Sequence, residues 1–188
     1  MRLFIAIALP EAVQDALADL GNGLPGARWV APENLHLTLR FLGEVDRRDA
    51  EDIDAALAEI RAPGFPLNIA GVDRFGDNRR VRQLWAGVEP HPGLLHLQSK
   101  VESAVVRSGL APERRKFKPH ITLARFKSNP GDKLGAFLSR HGLFRLPPFQ
   151  VDRFGLYSSF LSSGGSIYSE EAMYELAPDL AAVQAGEG

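Results

Sequence analysis

The pattern His-x-Thr-Leu occurs twice in the 188-residue chain, starting at His36 and at His120. Histidine transfers protons near neutral pH because the unperturbed pKa of its side chain is about 6.5. Residues i and i+2 of a β-strand face the same side of a sheet, so Thr38 and Thr122 would each present a hydroxyl beside a histidine. One imidazole can then deprotonate a nucleophile while the other protonates the leaving oxygen, and the hydroxyls can stabilise charge on the non-bridging oxygens. These residues predict a site for a phosphate diester.

A metal site is the competing interpretation of two histidines. A catalytic zinc ion usually has three protein ligands, but no Asp or Glu lies two residues from either histidine, and the chain has neither a His-Glu-x-x-His motif nor a cysteine. It also lacks the Gly-x-Ser-x-Gly motif of many serine hydrolases. We therefore predict catalysis by His36 and His120 without a metal ion or another cofactor.

Two further candidate residues, Phe41 and Arg125, follow the motifs at the same spacing, five positions after each histidine. Arg125 has a guanidinium fork suited to holding a phosphate. Strict alternation along a strand would point it away from His120, so this role requires a twist or a bulge. Phe41 is expected either to contact the substrate or to join the core. We predict both as substrate-binding residues, together with Thr38 and Thr122.

Other residues near the motifs have two open interpretations. Trp29 precedes the first motif and either stacks on a base or packs in the core. Four basic residues flank the second motif and either form a solvated surface or attract a phosphorylated substrate: Arg114, Arg115, Lys116 and Lys118. The remaining histidines lie in a loop, on a helix and at a helix end, and are interpreted as surface or hydrogen-bonded residues: His91, His96 and His141.

Composition restricts the partners and the compartment. The formal net charge of −1 differs from the basic balance usual in proteins that grip long nucleic acids, so an RNA end or a small nucleotide is the more suitable partner. The absence of cysteine excludes disulfides and thiolate zinc sites and fits a reducing compartment. The apolar run 3–9 is too short to span a membrane, and no cleavage site follows it. We expect a cytoplasmic monomer with no membrane partner.

A longer repeat accompanies the histidine motifs. The pentapeptide Val-Asp-Arg-Phe-Gly occurs at 72–76 and again at 151–155, 79 positions later, and the two histidines are 84 positions apart. The shared order at a similar offset predicts a single domain over 1–176, built of two similar halves at about 1–80 and 81–176. Coincidence is the alternative explanation of the pentapeptide.

Periodicity and end signals predict an α+β fold. Strands are predicted at 2–9, 35–41, 67–75, 83–88, 119–124, 149–157 and 166–176, and helices at 10–20, 46–61, 92–108 and 132–140. Alternation in the first histidine strand places Arg40 on the same face as His36. Strands with one polar face favour antiparallel sheets, so we expect two pseudo-symmetric lobes around a central cleft, each an antiparallel sheet with helices on its outer face. The tail, 177–188, is rich in Ala and Gly and is predicted to be flexible.

These residues resemble the 2H phosphoesterases, a superfamily named for paired His-x-Thr-x motifs, and within it the RNA 2′,3′-cyclic phosphodiesterases, also described as 2′-5′ RNA ligase-like. The resemblance extends over nearly the whole chain. It is carried by an opening strand at 2–9, by blocks at 28–43 and 118–125 around the two motifs, and by a C-terminal strand pair with Tyr157 and Tyr168.

The resemblance implies a two-lobed α+β fold in which the histidines face each other across a cleft. It implies metal-independent hydrolysis of 2′,3′-cyclic phosphates at RNA ends or on nucleotides to 2′-phosphomonoesters, with the reverse 2′-5′ ligation chemically allowed. The family assignment of roles makes His36 the proton donor to the 3′ oxygen and His120 the acceptor from water. Two alternatives remain open: a phosphodiesterase for small cyclic nucleotides or ADP-ribose cyclic phosphate, and a non-catalytic protein that binds RNA ends.

Overall fold

The computed structural model describes residues 1–77 and 79–179 and confirms the expected α+β fold. The helices of the described residues are α1 (Glu11–Ala18), α2 (Arg47–Ala58), α3 (Pro92–Arg107) and α4 (Lys133–His141), with a short 3-10 helix at Pro32–Asn34. The strands are β1 (Arg2–Ala8), β2 (Ala27–Trp29), β3 (His36–Glu44), β4 (Phe65–Leu67), β5 (Ile69–Asp77), β6 (Arg80–Val88), β7 (His120–Phe126), β8 (Phe149–Val151), β9 (Arg153–Ser162) and β10 (Gly165–Glu175). The predicted flexible tail falls mostly outside the described residues, which end at 179.

Two of the predicted strands are each divided in two. The strand predicted at 67–75 corresponds to β4 and β5, which Asn68 separates, and the strand predicted at 149–157 corresponds to β8 and β9, which Asp152 separates. The chain changes its pairing partner at both points, because β4 and β8 form a two-stranded sheet of their own while β5 and β9 join the main sheet. A change of partner leaves no mark on local alternation, so the sequence predicted one continuous strand at each place.

The main sheet is antiparallel and consists of two half-sheets. Its strand order is β10-β9-β1-β3-β7-β6-β5, and β2 pairs with the end of β7. We call β10, β9, β1 and β3 the His36 half-sheet, and β7, β6, β5 and β2 the His120 half-sheet. The two meet between β3 and β7, where Leu37 pairs with Ile121.

A local two-fold axis passes between the two histidine strands. Leu37 and Ile121 each follow a motif histidine, so their pairing joins equivalent positions of the two motifs. Pro66 of β4 likewise pairs with Gln150 of β8, and these residues are separated by the same 84 positions as the histidines. Residues pair with their own counterparts only on a two-fold axis, so the two motif histidines lie on either side of it.

The two halves of the sequence exchange strands between the half-sheets. β5 comes from the first half but pairs with β6, and β9 comes from the second half but pairs with β1. In the His36 half-sheet, Thr38 pairs with Ala6, which pairs in turn with Gly155. In the His120 half-sheet, Thr122 pairs with Trp85, which pairs in turn with Asp73. Gly155 is the last residue of one pentapeptide and Asp73 the second of the other. The two copies therefore lie largely on corresponding strands of the two half-sheets, β5 and β9, but at positions that do not correspond.

The helices cover one face of the sheet and leave the histidines on the other. α3 contacts β3 and α4 contacts β5. The predicted inward residues of α3 are all fully buried: Leu94, Leu97, Val101 and Val105. Asp46 caps α2 as predicted, since its carboxylate accepts a hydrogen bond from the backbone N–H of Asp49 at 2.8 Å. In the described part of the chain, no helix has the length and apolar character needed to cross a membrane.

Candidate active site

A β-bulge follows each histidine motif. In β3 the extra residue is Leu39, because Thr38 and Arg40 pair with two consecutive residues of β1. In β7 the extra residue is Leu123, because the residues on either side of it pair with two consecutive residues of β6. A bulge inserts one residue into the alternation of a strand, so the side chains beyond it change face.

The bulges bring Phe41 and Arg125 to the face that carries the histidines. The ring of Phe41 lies 6.2 Å from that of Phe4, which in turn lies 4.9 Å from the imidazole of His36. Phe41 is 56% exposed, so it is no part of the core. Arg125 is also exposed, and its charge lies close enough to His36 to lower the pKa of that imidazole. A phosphate-binding role of Arg125 required a bulge in β7, and that bulge is present.

Arg40 shows the opposite consequence of the same bulge. Alternation predicted that it shares the face of His36, but the structure places it on the helix side. Its Nε lies 2.7 Å from a carboxylate oxygen of Glu102 on α3, and its Nη2 donates to the carbonyl of Ala111 at 2.6 Å. The predicted face of Arg40 was wrong because the bulge at Leu39 adds one residue to the alternation. Arg40 instead connects β3 to α3 through its contact with Glu102.

Backbone carbonyls orient both imidazoles in the same way. Nδ1 of His36 lies 2.7 Å from the carbonyl oxygen of Asn34, and Nδ1 of His120 lies 2.7 Å from that of Lys118. A carbonyl oxygen only accepts hydrogen bonds, so each Nδ1 carries a hydrogen and each Nε2 is left for proton transfer. The two rings are thus held as equivalent proton carriers on either side of the axis.

The two threonine hydroxyls differ in their partners. Oγ1 of Thr38 lies 3.0 Å from Nε2 of His36, so in the neutral state this hydroxyl donates to the imidazole. Oγ1 of Thr122 instead accepts a hydrogen bond from the side-chain amide of Gln83 at 2.6 Å. The hydrogen of the Thr122 hydroxyl therefore remains for another acceptor.

Aromatic rings pack against both histidines. In addition to Phe4, Tyr168 packs edge-on against His36, with 5.4 Å between the centroids of the Tyr168 and His36 rings. Beside His120, Phe75 packs edge-on at 4.9 Å and Trp85 lies at 6.1 Å. The ammonium of Lys118 lies 4.7 Å above the ring of Trp85, which holds this cation next to His120.

Burial lowers the pKa of both histidines below the ordinary value for an imidazole. For His36, desolvation is the largest cause, the hydrogen bond to Asn34 opposes it, and the charges of Arg125 and His120 lower the pKa further. For His120, desolvation again comes first, the hydrogen bond to Lys118 opposes it, and the ammonium of Lys118 adds to the lowering. Both rings therefore favour the neutral form before substrate binds.

Trp29 does not line the site. It pairs with Ala124 across β2 and β7, and its ring packs against Phe137 of α4 at 6.1 Å on the helix side of the sheet. Of its two open interpretations, packing is confirmed and base stacking is wrong. The reason is again alternation, because Arg28, its neighbour in β2, takes the face that carries the histidines.

The other sequence candidates lie away from the two imidazoles, except for Lys118. His91 caps α3, since its Nδ1 accepts from the backbone N–H of Gly93 at 3.0 Å. His96 is exposed on α3, and His141 ends α4, as the sequence indicated. Three of the four basic residues are surface residues outside the contacts of the histidines: Arg114, Arg115 and Lys116.

Sequence reasoning missed Gln83, Phe4 and the aromatic contacts of His120. Gln83 and Trp85 lie at positions i and i+2 of one strand, so alternation alone put them on one face. The missing information was that β6 pairs with β7, which only the sheet order shows. Among the described residues, no group of three His, Cys, Asp or Glu side chains is placed to bind one metal ion.

Comparisons with known proteins find relatives over most of the chain. A family model described as LigT-like phosphoesterase matches residues 7–85 and 87–168, one segment for each histidine motif. A protein of Thermotoga maritima named RNA 2′,3′-cyclic phosphodiesterase is 37% identical to this chain, with 93% of the chain and 94% of the relative covered. A protein of the same name from Escherichia coli is 34% identical, with 89% and 92% covered.

Solved structures are similar as well. The crystal structure of Escherichia coli LigT complexed with 3′-AMP has a TM-score of 0.76 and 31% identity to this chain, covering 93% of it and 97% of LigT. The crystal structure of the Thermus thermophilus protein TT0787 has a TM-score of 0.77 and 29% identity to this chain, and the match covers 95% of this chain and 100% of TT0787.

Proposed function

The chain belongs to the LigT-like phosphoesterase family, and from this membership we propose that it hydrolyses 2′,3′-cyclic phosphate ends of RNA to 2′-phosphomonoesters. The observation that carries the proposal is that His36 and His120 are related by the local two-fold axis. Each imidazole is oriented through Nδ1 by a backbone carbonyl. Such a pair supports in-line displacement, in which one side of the phosphorus loses a proton while the other side gains one.

In the proposed reaction His120 is the base and His36 the acid. Nε2 of His120 takes a proton from water as the water oxygen bonds to phosphorus, the bond from phosphorus to the 3′ oxygen breaks, and Nε2 of His36 protonates that oxygen. The ammonium of Lys118 favours the neutral form that a base requires. A bound phosphate offsets the charge of Arg125 beside His36 and so favours the protonated form that an acid requires.

The remaining predicted residues bind the substrate in this proposal. Thr122 donates a hydrogen bond to a non-bridging oxygen as negative charge develops on it, and Thr38 does so when Nε2 of His36 is protonated and no longer accepts its hydrogen. Arg125 holds the phosphate through its guanidinium. Phe41 presents an exposed ring to the terminal nucleotide, and the aromatic face suits a base or a ribose.

The proposed reaction needs neither a metal ion nor a second subunit. The two imidazoles supply both proton transfers, and both belong to one chain, so the enzyme is proposed to act as a monomer without a cofactor. The same groups serve the reverse reaction, 2′-5′ ligation, since each step is reversible. Water in large excess makes hydrolysis the favoured direction.

The decisive experiment is an assay of the purified protein with 2′,3′-cyclic nucleotides, cyclic-phosphate-ended RNA and ADP-ribose cyclic phosphate, resolving 2′- from 3′-phosphate products. We expect turnover to the 2′-phosphate, highest on the RNA end. A 3′-phosphate product would contradict the proposed roles of the histidines, because the 2′ oxygen would then be the leaving group. Binding of RNA ends without turnover would support the non-catalytic alternative.

A further inference from the structure

We infer that Arg28, beside Arg125, forms a second anion-binding site, which takes the phosphodiester joining the terminal nucleotide to the rest of an RNA chain. The inference rests on the proposed function and adds a substrate preference to it: the enzyme should favour an RNA end over a free cyclic mononucleotide. It is carried by the sheet register, by the exposure of the two arginines and by their charges.

The register places Arg28 and Arg125 side by side on the face of the active site. Arg28 of β2 pairs with Arg125 of β7, which pairs in turn with Gln83 of β6. Side chains of directly paired residues in an antiparallel sheet point to the same side. Trp29, the neighbour of Arg28, packs on the helix side against Phe137, so alternation independently puts Arg28 on the site face.

Within the described residues, no ion pair compensates the charges of these two arginines. Like charges in directly opposed positions destabilise a sheet, and both side chains are exposed. Neither guanidinium forms an ion pair with a carboxylate among residues 1–77 and 79–179. The acids of β5 are engaged elsewhere: Asp73 and Asp77 accept hydrogen bonds from backbone N–H groups at 2.8–2.9 Å. Each of these guanidinium groups suits a phosphate, which accepts paired N–H donors.

The two arginines differ in their effect on the motif histidines. Arg125 is the one whose charge acts on His36, so it serves the reacting phosphate. Arg28 lies on the adjoining strand, about 4.8 Å away across the sheet, and its charge is not among those that act on either histidine. In this inference it binds the next phosphate of the chain. A cyclic mononucleotide has no second phosphate, whereas an RNA end has one at each preceding nucleotide. Arg28 therefore distinguishes the two substrates.

The test compares a dinucleotide that ends in a 2′,3′-cyclic phosphate with the corresponding cyclic mononucleotide. Arg28→Gln should lower kcat/KM for the dinucleotide by about tenfold, as expected for loss of a hydrogen bond to a charged group, and leave the mononucleotide within a factor of about two. It should also reduce the salt dependence for the dinucleotide by about one unit of slope. Arg140→Gln, an exposed arginine of α4 on the helix side, is the matched control and should change neither substrate.

Equal losses on both substrates would overturn the inference, because Arg28 would then bind the reacting phosphate. An unchanged dinucleotide rate would overturn it as well. Calorimetric affinities of the wild type and Arg28→Gln for 2′-AMP and for a dinucleotide with a terminal 2′-phosphate give a readout that needs no turnover. If the wild type binds both ligands but hydrolyses no cyclic substrate, the proposed function fails, while selective loss of dinucleotide binding would still support the second anion site.

Discussion

Gln83 donates a hydrogen bond from its side-chain amide to the hydroxyl oxygen of Thr122, across 2.6 Å between β6 and β7. At the equivalent place in the His36 half-sheet lies Phe4, because Phe4 pairs with Phe41 as Gln83 pairs with Arg125. A phenyl ring offers no such donor. The two motifs therefore share their residue types but differ in hydrogen bonding: the Thr38 hydroxyl donates to His36, whereas the oxygen of Thr122 is held by Gln83 and its hydrogen remains for another acceptor.

Replacement of Gln83 should show this coupling. Gln83→Met keeps a side chain of similar length without a donor, and we expect kcat to fall by about tenfold because the Thr122 hydroxyl loses its orientation. The same substitution in a Thr122→Val background should have no further effect. Losses of equal size in both backgrounds would show that Gln83 acts independently of Thr122. Thermal unfolding of each variant controls for stability.

Loss of either motif histidine should abolish most of the activity. His36→Ala and His120→Ala should each lower kcat by roughly 10²–10⁴, the usual contribution of a general acid or base. His96→Ala is the control, since His96 is exposed on α3. Near-normal turnover in either motif variant, measured on a 2′,3′-cyclic nucleotide, would rule out the acid–base pair.

The pH profile should be bell-shaped with its maximum on the acidic side of the ordinary histidine pKa, because burial lowers the pKa of both imidazoles. kcat/KM should rise with pH as the base His120 loses its proton and fall as the acid His36 loses its own. Arg125→Gln removes a charge that lowers the pKa of His36, so the basic limb should move to higher pH. Lys118→Met should likewise raise the pKa of His120 and move the acidic limb to higher pH.

Arg114→Gln is the control for this profile, because Arg114 is exposed and its charge is not among those acting on either histidine. Both limbs should stay in place. If Arg125→Gln left the basic limb unchanged or moved it to lower pH, the assignment of that limb to His36 would be wrong.

Arg125 should act through its geometry as well as its charge. Arg125→Lys keeps the charge but loses the planar fork, and we expect KM to rise several-fold because a bidentate contact with phosphate is lost. The measurement is a comparison of kcat and KM with the Arg125→Gln variant, which should be the weaker binder of the two. Equal KM values for wild type and Arg125→Lys would contradict bidentate binding.

Chelation should leave the activity intact. Incubation with EDTA followed by assay on a 2′,3′-cyclic nucleotide should give unchanged rates, since the proposed reaction uses only side chains of the protein. Loss of activity that added Zn²⁺ or Mg²⁺ restores would revive the metal interpretation of the histidines.

Local sequence determined the elements and the type of chemistry. The alternation around His36 and His120 predicted strands with each threonine beside its histidine, and Asp46 marked the start of α2. The apolar stripe of α3 identified the residues that the structure buries. These features depend on neighbours within a few positions of the chain, so periodicity and capping rules were sufficient to find them.

Only the tertiary structure decided which faces and partners these residues have. The bulges at Leu39 and Leu123 moved Arg40 away from the site face and brought Phe41 and Arg125 onto it. The pairing of β6 with β7 added Gln83 to the site, which no motif had indicated. The physical reason is that a bulge and a strand partner depend on the register between strands distant in sequence. Alternation along one strand carries no information about that register.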